Sequence, residues 1–188
     1  MPKNKNLICP WWLGYLLISP LRRLWDNPKK ILSPYIREGM TILEIGPGMG
    51  FFSIPLAKMT GDSGKLICVD VQERMLSSLR KRAIKTAVSE IIETRLCSKD
   101  SLQIDDLTTK IDFVLAFAVI HEVPDKKHLF SEIVSSMKHN SKILISDPKS
   151  HETKEGFNET LSIAQSAGLE ITDYPEIKRN YSVLLNKK

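Results

Sequence analysis

From Met40 onward, short apolar runs alternate with segments whose apolar residues recur at helical spacing. Thr41–Ile45, Lys65–Val69, Ile91–Leu96, Ile111–Phe117 and Lys142–Ser146 are rich in Ile, Leu and Val and lack polar alternation. That is the pattern of strands covered on both faces of a parallel sheet. Between them, Met75, Leu76, Leu79 and Ala83 fall on one helical face, as do Leu129, Ile133 and Met137. A further helix is predicted from about Lys154 to Ala167, with Phe157, Leu161 and Ala164 inward and Gly168 as its stop. The ending differs. Glu170–Tyr174 and Tyr181–Asn186 are strand-like runs separated only by Pro175 to Asn180, too short a gap for a crossover helix. These two strands should be antiparallel neighbours.

The 188 residues suffice for one α/β domain with a substantial core and are too few for two of ordinary size. A formal charge of +5 is a mild excess of bases spread along the chain, so it does not by itself mark a nucleic-acid or membrane footprint. Cys9, Cys68 and Cys97 offer neither a disulfide framework nor a CxxC metal signature, and a reducing, cytoplasmic setting is expected. The histidines have no metal-site spacing, and no metal is expected. Upstream, LICPWWLGYLLIS (Leu7 to Ser19) is too short to span a bilayer and contains Pro10 and Gly14. Residues 1–27 are therefore expected to form a helical arm or lid, and residues 28–188 the main domain. Trp11, Trp12 and Tyr15 would close on a substrate; a weak membrane contact through the same arm is the alternative.

The chemistry is concentrated in TILEIGPGMGFFSIPLA, Thr41 to Ala57. A strand, a glycine turn and a helix N-terminus together aim backbone N–H groups at an anionic ligand group. A dinucleotide fingerprint needs its third glycine three positions after the second, and Phe51 stands there instead. The pattern is Glu44-x-Gly46-x-Gly48-x-Gly50, with an acid inside the strand end. A second acid, Asp70, closes the next strand and can accept both hydroxyls of a ribose.

From about Pro28 to Lys188 the chain resembles the class I S-adenosylmethionine-dependent methyltransferases. The resemblance rests on EIGPGMG, CVDVQERML and IDFVLAFAVIHEVPD. It implies a Rossmann-like α/β fold with helices on both faces of a mostly parallel seven-stranded sheet. The implied strand order is 3-2-1-4-5-7-6, closed by a C-terminal antiparallel hairpin. It also implies S-adenosyl-L-methionine as cofactor. Gly46, Pro47, Gly48 and Gly50 would wrap its methionine part, Asp70 would bind its ribose and Val71 would flank its adenine. Glu44, Ala116 and Phe117 would complete the cofactor site, Phe117 also contributing to an apolar acceptor pocket. Many relatives carry an aspartate after the third strand for the adenine amino group. Here the segment is Cys97-Ser98-Lys99-Asp100, with Ser98 at the matching place and Asp100 as the alternative.

The cofactor's sulfonium already activates the methyl group, so the protein chiefly positions an acceptor. If the acceptor must lose a proton, His121 is the candidate base, and its surroundings resemble the His-Asp-Trp segment of small-molecule O-methyltransferases. The fourth strand ends Ala116-Phe117-Ala118, without the Asn/Asp-Pro-Pro-Tyr of amide and exocyclic-amine methylating relatives. A small-molecule acceptor is the leading expectation and nucleic acid is not the expected partner. The alternatives are an RNA methyltransferase and a cofactor-binding protein without catalysis. The oligomeric state is not legible.

Overall fold

The structure is a computed structural model that describes Arg22 and residues 26–188. A short helix α1 (Pro28–Leu32) precedes strand β1 (Thr41–Ile45), helix α2 (Ser53–Thr60) and strand β2 (Lys65–Asp70). Helix α3 (Glu73–Lys85), strand β3 (Ile92–Leu96) and strand β4 (Ile111–Phe117) follow, then helix α4 (Lys126–Ser136) and the long strand β5 (Met137–Pro148). Helix α5 (Lys154–Ser166) leads to strands β6 (Leu169–Asp173) and β7 (Asn180–Lys187). The seven strands form one sheet in the order β3-β2-β1-β4-β5-β7-β6. β1 through β5 pair in parallel; β7 runs antiparallel to both β5 and β6. The implied fold is present.

Two cores lie on opposite faces of the sheet, as the alternation of side chains along each strand requires. Leu43 and Ile45 join residues of α4 and α5 on one face; Ile42 joins residues of α1, α2 and α3 on the other. Glu44 has the same parity as Ile42. This acid therefore stands where the packing against α2 would otherwise ask for a hydrophobe.

Two sequence expectations are corrected. Met137 was expected on the α4 face, but α4 stops at Ser136 and Met137 opens β5 with ψ 140°. Met137 is still fully buried, because the strand leaves the helix into the same core. The β3 run was expected to be covered on both faces, yet its residues are only half-buried and Leu96 is exposed. β3 is an edge strand, and its Glu93 and Arg95 form ion pairs with Lys65 and Asp106. Charge on an edge discourages pairing with another chain.

Candidate active site

The glycine loop connects the end of β1 to α2. Gly46, Gly48 and Gly50 have φ of +66°, +54° and +84°, the region in which a Cβ is strained. The Gly46 N–H donates to the Val69 carbonyl at 2.9 Å, tying the loop to the neighbouring strand. A Cβ on Gly46 would lie 2.7 Å from Val119 Cγ2, whereas one on Gly48 would enter open space. One on Gly50 would collide with Leu79 of α3.

The loop forms the rim of a cavity of about 190 Å³ at the C-terminal ends of β1, β2 and β4. That is where open parallel sheets bind ligands, where neighbouring connections leave the sheet in opposite directions. Glu44, Gly46, Pro47, Gly48, Asp70, Val71, Ser98 and Phe117 all line it. Gly50 and Ala116 do not. Gly50 faces Leu79 and admits α3 to the loop, and Ala116 is fully buried in the core on the α4 and α5 side. Ala118 takes Ala116's expected place, with φ +58° in a non-glycine residue, the kind of strained backbone that gathers at functional sites.

Asp70 is buried, and both of its carboxylate oxygens are engaged. Oδ2 accepts the Gly48 N–H at 3.2 Å and Oδ1 accepts the Gln72 N–H at 2.9 Å. Burial pushes its pKa up, and the backbone donors counteract only part of this. The acid thus fixes the glycine loop while keeping lone pairs for a ligand. Glu44 lies deeper, at 3% exposure, and Oε2 accepts a hydrogen bond from the Cys68 thiol at 3.4 Å. Its pKa is pushed up to about 7, first by burial and also by the Asp70 charge, with the neighbouring Ser53 and Cys68 side chains opposing the rise.

At the other end, Ser98 builds the loop after β3. Its hydroxyl accepts the N–H groups of Asp100 and Ser101 at 3.2 and 3.0 Å. Glu132 of α4 pins the same loop, accepting from the Ser101 hydroxyl at 2.7 Å and from the Leu102 N–H. Cys97, Glu132 and Arg22 line the cavity and were missed by sequence reasoning. The Arg22 guanidinium stacks 4.5 Å over the Phe51 ring and pairs with Asp26 at 3.1 Å.

His121 does not line the cavity, although Val119 and Glu122 beside it do. It sits in the 3₁₀ turn Ile120–Glu122 directly after β4, and its Nδ1 lies 2.8 Å from Asp147 Oδ1. Trp11, Trp12 and Tyr15 lie outside the described residues. Among the described residues no cluster of His, Cys, Asp or Glu could hold a metal ion, and no helix is long and apolar enough to cross a membrane.

Among the described residues, six carboxylates line the cavity (Glu44, Asp70, Asp100, Glu122, Asp125 and Glu132) against two cations, Arg22 and Lys99. A site this acidic in a chain of net charge +5 suits a cationic ligand. With the open space at Gly48 and a buried acid at the floor, it fits a sulfonium-bearing, amino-acid-tailed nucleoside such as S-adenosylmethionine.

Fold and site together define a doubly wound α/β domain with an acidic ligand cavity at the C-terminal ends of its parallel strands. A profile described as a methyltransferase domain matches residues 36–182, and the chain belongs to that family. The chain is 28% identical over 121 residues to the arsenite methyltransferase of Halobacterium salinarum, covering 64% of this chain and 30% of that protein. It is 23% identical over 130 residues to the ubiquinone/menaquinone biosynthesis C-methyltransferase UbiE of an Enterobacter species, covering 69% of this chain and 51% of the relative. The chain thus spans about half, or less, of these curated relatives. A solved S-adenosylmethionine-dependent methyltransferase from Aquifex aeolicus superposes with a TM-score of 0.85 at 24% identity, over 96% of this chain and all of that one.

Proposed function

We propose that the protein transfers the methyl group of S-adenosylmethionine to a small organic acceptor. In this reading the acidic cavity is the cofactor site. Glu44 and the loop around Gly46, Pro47 and Gly48 take the methionine part, Asp70 the ribose, and Val71 and the Cys97–Ser98 segment the adenine. Phe117, with Phe52 beside it at a ring distance of 4.3 Å, offers an apolar wall at the methyl-bearing end. The observation that carries the reading is the concentration of carboxylates around the cavity. It favours a cationic cofactor and disfavours a phosphate backbone, so it also favours a small acceptor over RNA.

Arsenite, the substrate in the Halobacterium relative's name, is a soft centre that thiolates bind. The described thiols suit it poorly. Cys68 is buried with its pKa raised well above the ordinary value, and burial pushes Cys97 up to about 12. The test is tritium transfer from labelled cofactor into a metabolite extract, an RNA fraction and arsenite, beside calorimetry with S-adenosylhomocysteine. Label is expected in the metabolite extract alone. Label in RNA would overturn the acceptor class, and failure to bind S-adenosylhomocysteine would overturn the cofactor site.

A further inference from the structure

The acidic cavity ends at β4, but the same sheet edge continues to the end of β5 and the start of β7. Phe117 is in register with Ser146 of β5, and Ser146 with Ser182 of β7. Residues in register across a sheet share a face, so these side chains form one row. The row changes chemistry along its length. Phe117 packs on Phe52, whereas Ser146 is fully buried with its hydroxyl 2.9 Å from that of Ser182. Asn180 Nδ2 donates to the same Ser146 oxygen at 2.8 Å. Two residues further into the sheet the equivalent pair is Leu144 and Leu184, in the apolar core.

Beyond the hydroxyl end of this row lies a second, open pocket, formed by the β6–β7 connection and the residue that follows β5. Lys149, Lys178 and Arg179 line it, and Glu176 is the only acid among its described lining residues. Backbone bonds gather the cations. The Lys149 N–H donates to the Arg179 carbonyl at 2.9 Å, and the Asn180 N–H donates to the Ile177 carbonyl at 3.1 Å. The second bond closes a turn with Lys178 and Arg179 at its tip. Arg179 holds φ +64°, a conformation that glycine or asparagine would adopt with less strain. The Lys149 ammonium stands 5.2 Å from the centre of the Tyr181 ring, which itself stacks on Phe157 at 5.6 Å. Among the described residues, neither Lys149 nor Lys178 forms an ion pair, whereas Lys65, Lys126 and Lys138 each have a carboxylate partner.

We propose that this pocket binds an anionic group of the methyl acceptor, a carboxylate or a phosphate, and that the acceptor is therefore an anionic small molecule. This rests on the methyl-transfer reading given above. Neighbouring strands lie about 4.8 Å apart, so the two steps from Phe117 to Ser182 span about 10 Å. An acceptor whose reacting atom meets the Phe117 wall places a group about 10 Å away in the basic pocket. The two charge patterns then sort the two ligands. The acidic cavity attracts a cationic cofactor and repels an anion, and the basic pocket draws the anionic end of the acceptor to the far side of Phe117. Three cations around one open pocket match a single anionic group. They do not form the extended basic track that a nucleic-acid strand requires.

The test has two arms, both on the full chain. Inorganic phosphate is titrated with ¹⁵N amide NMR as the readout. Tritium from labelled S-adenosylmethionine is followed into a metabolite extract and an RNA fraction, with the labelled product identified by mass spectrometry. Phosphate is expected to bind in the millimolar range and to shift the amides of Lys149, Arg179 and Asn180. Lys149→Gln combined with Lys178→Gln should weaken that binding by about fivefold or more. The labelled product is expected to carry a carboxylate or a phosphate. In dilute extract the double variant should form it about tenfold more slowly, with the deficit closing as the extract is concentrated. Its affinity for S-adenosylhomocysteine should stay within about twofold of wild type. A labelled product with neither anionic group, or a double variant as fast as wild type in dilute extract, would overturn the proposal. So would label in RNA that falls in the double variant, since the pocket would then serve a phosphate backbone. Absent phosphate shifts in a protein that labels the extract would remove the pocket alone. Failure to bind S-adenosylhomocysteine would remove the cofactor reading and the acceptor assignment with it.

Discussion

Glu44 carries a conflict between stability and function at the scale of one side chain. An acid held at a pKa of about 7 in the fold and near 4.5 in the unfolded chain keeps its proton in the folded state over the window between them. The unfolded chain binds fewer protons there, so stability falls as pH rises from about 4.5 to 7, by on the order of 3 kcal/mol. Glu44→Gln should remove this fall, raising the apo Tm at pH 8 relative to pH 5 by roughly 6–12 °C against wild type. It should also weaken S-adenosylmethionine binding, since the cofactor's cationic groups would no longer meet a carboxylate. A melting series over pH checks the first outcome and calorimetry the second; equal pH slopes in the two proteins would contradict the buried acid's role. Glu44 and Asp70 were legible in the sequence because each is an acid ending an otherwise apolar strand. Asp147 was not. In Ser146-Asp147-Pro148 it reads as an ordinary strand terminator, and its partner His121 lies 26 residues away across two strand ends.

The same reasoning separates the three glycines at the scale of the loop and its flanking elements. All have positive φ, so any alanine there is strained by roughly 1–2 kcal/mol. What the new Cβ meets then decides the outcome. At Gly50 it strikes Leu79 and pushes α3 from the loop, so Gly50→Ala should lower Tm by several degrees and affect affinity only secondarily. At Gly48 it meets nothing in the protein and points into open space, so Gly48→Ala should reduce S-adenosylhomocysteine affinity by about tenfold or more with a smaller Tm change. Melting curves and titrations on both variants check the contrast, and a reversed pattern would place the ligand against Gly50. Sequence spacing identified the loop but gave all three glycines one role, since it cannot tell which neighbour faces each. Element boundaries failed for a related reason. The four-residue apolar interval from Leu129 to Ile133 to Met137 continues across the end of α4, because helix and strand feed one core.

For the whole molecule, charge separates the body from the site. The chain carries +5, yet among the described residues carboxylates outnumber cations six to two around the cavity. Basic residues pair elsewhere, as Lys138 does with Asp112 at 2.6 Å and Arg95 with Asp106 at 2.6 Å. The site's potential is therefore local and negative, in a concave space where low-dielectric walls focus it. S-adenosylmethionine, with a sulfonium, an ammonium and a carboxylate, has a net charge of about +1, whereas S-adenosylhomocysteine lacks the sulfonium and is a zwitterion of net charge about 0. Part of the attraction for the first ligand is long-range and is screened once the Debye length shrinks from about 10 Å toward 4 Å. Raising salt from about 0.1 M to 0.6 M should then weaken S-adenosylmethionine binding several-fold and leave S-adenosylhomocysteine nearly unchanged. Calorimetric titration of both ligands at the two salt concentrations checks this. Parallel losses for the two ligands would show that the six carboxylates are neutralised within the fold, and the preference for a cationic cofactor would then have to arise from short contacts at Glu44 alone.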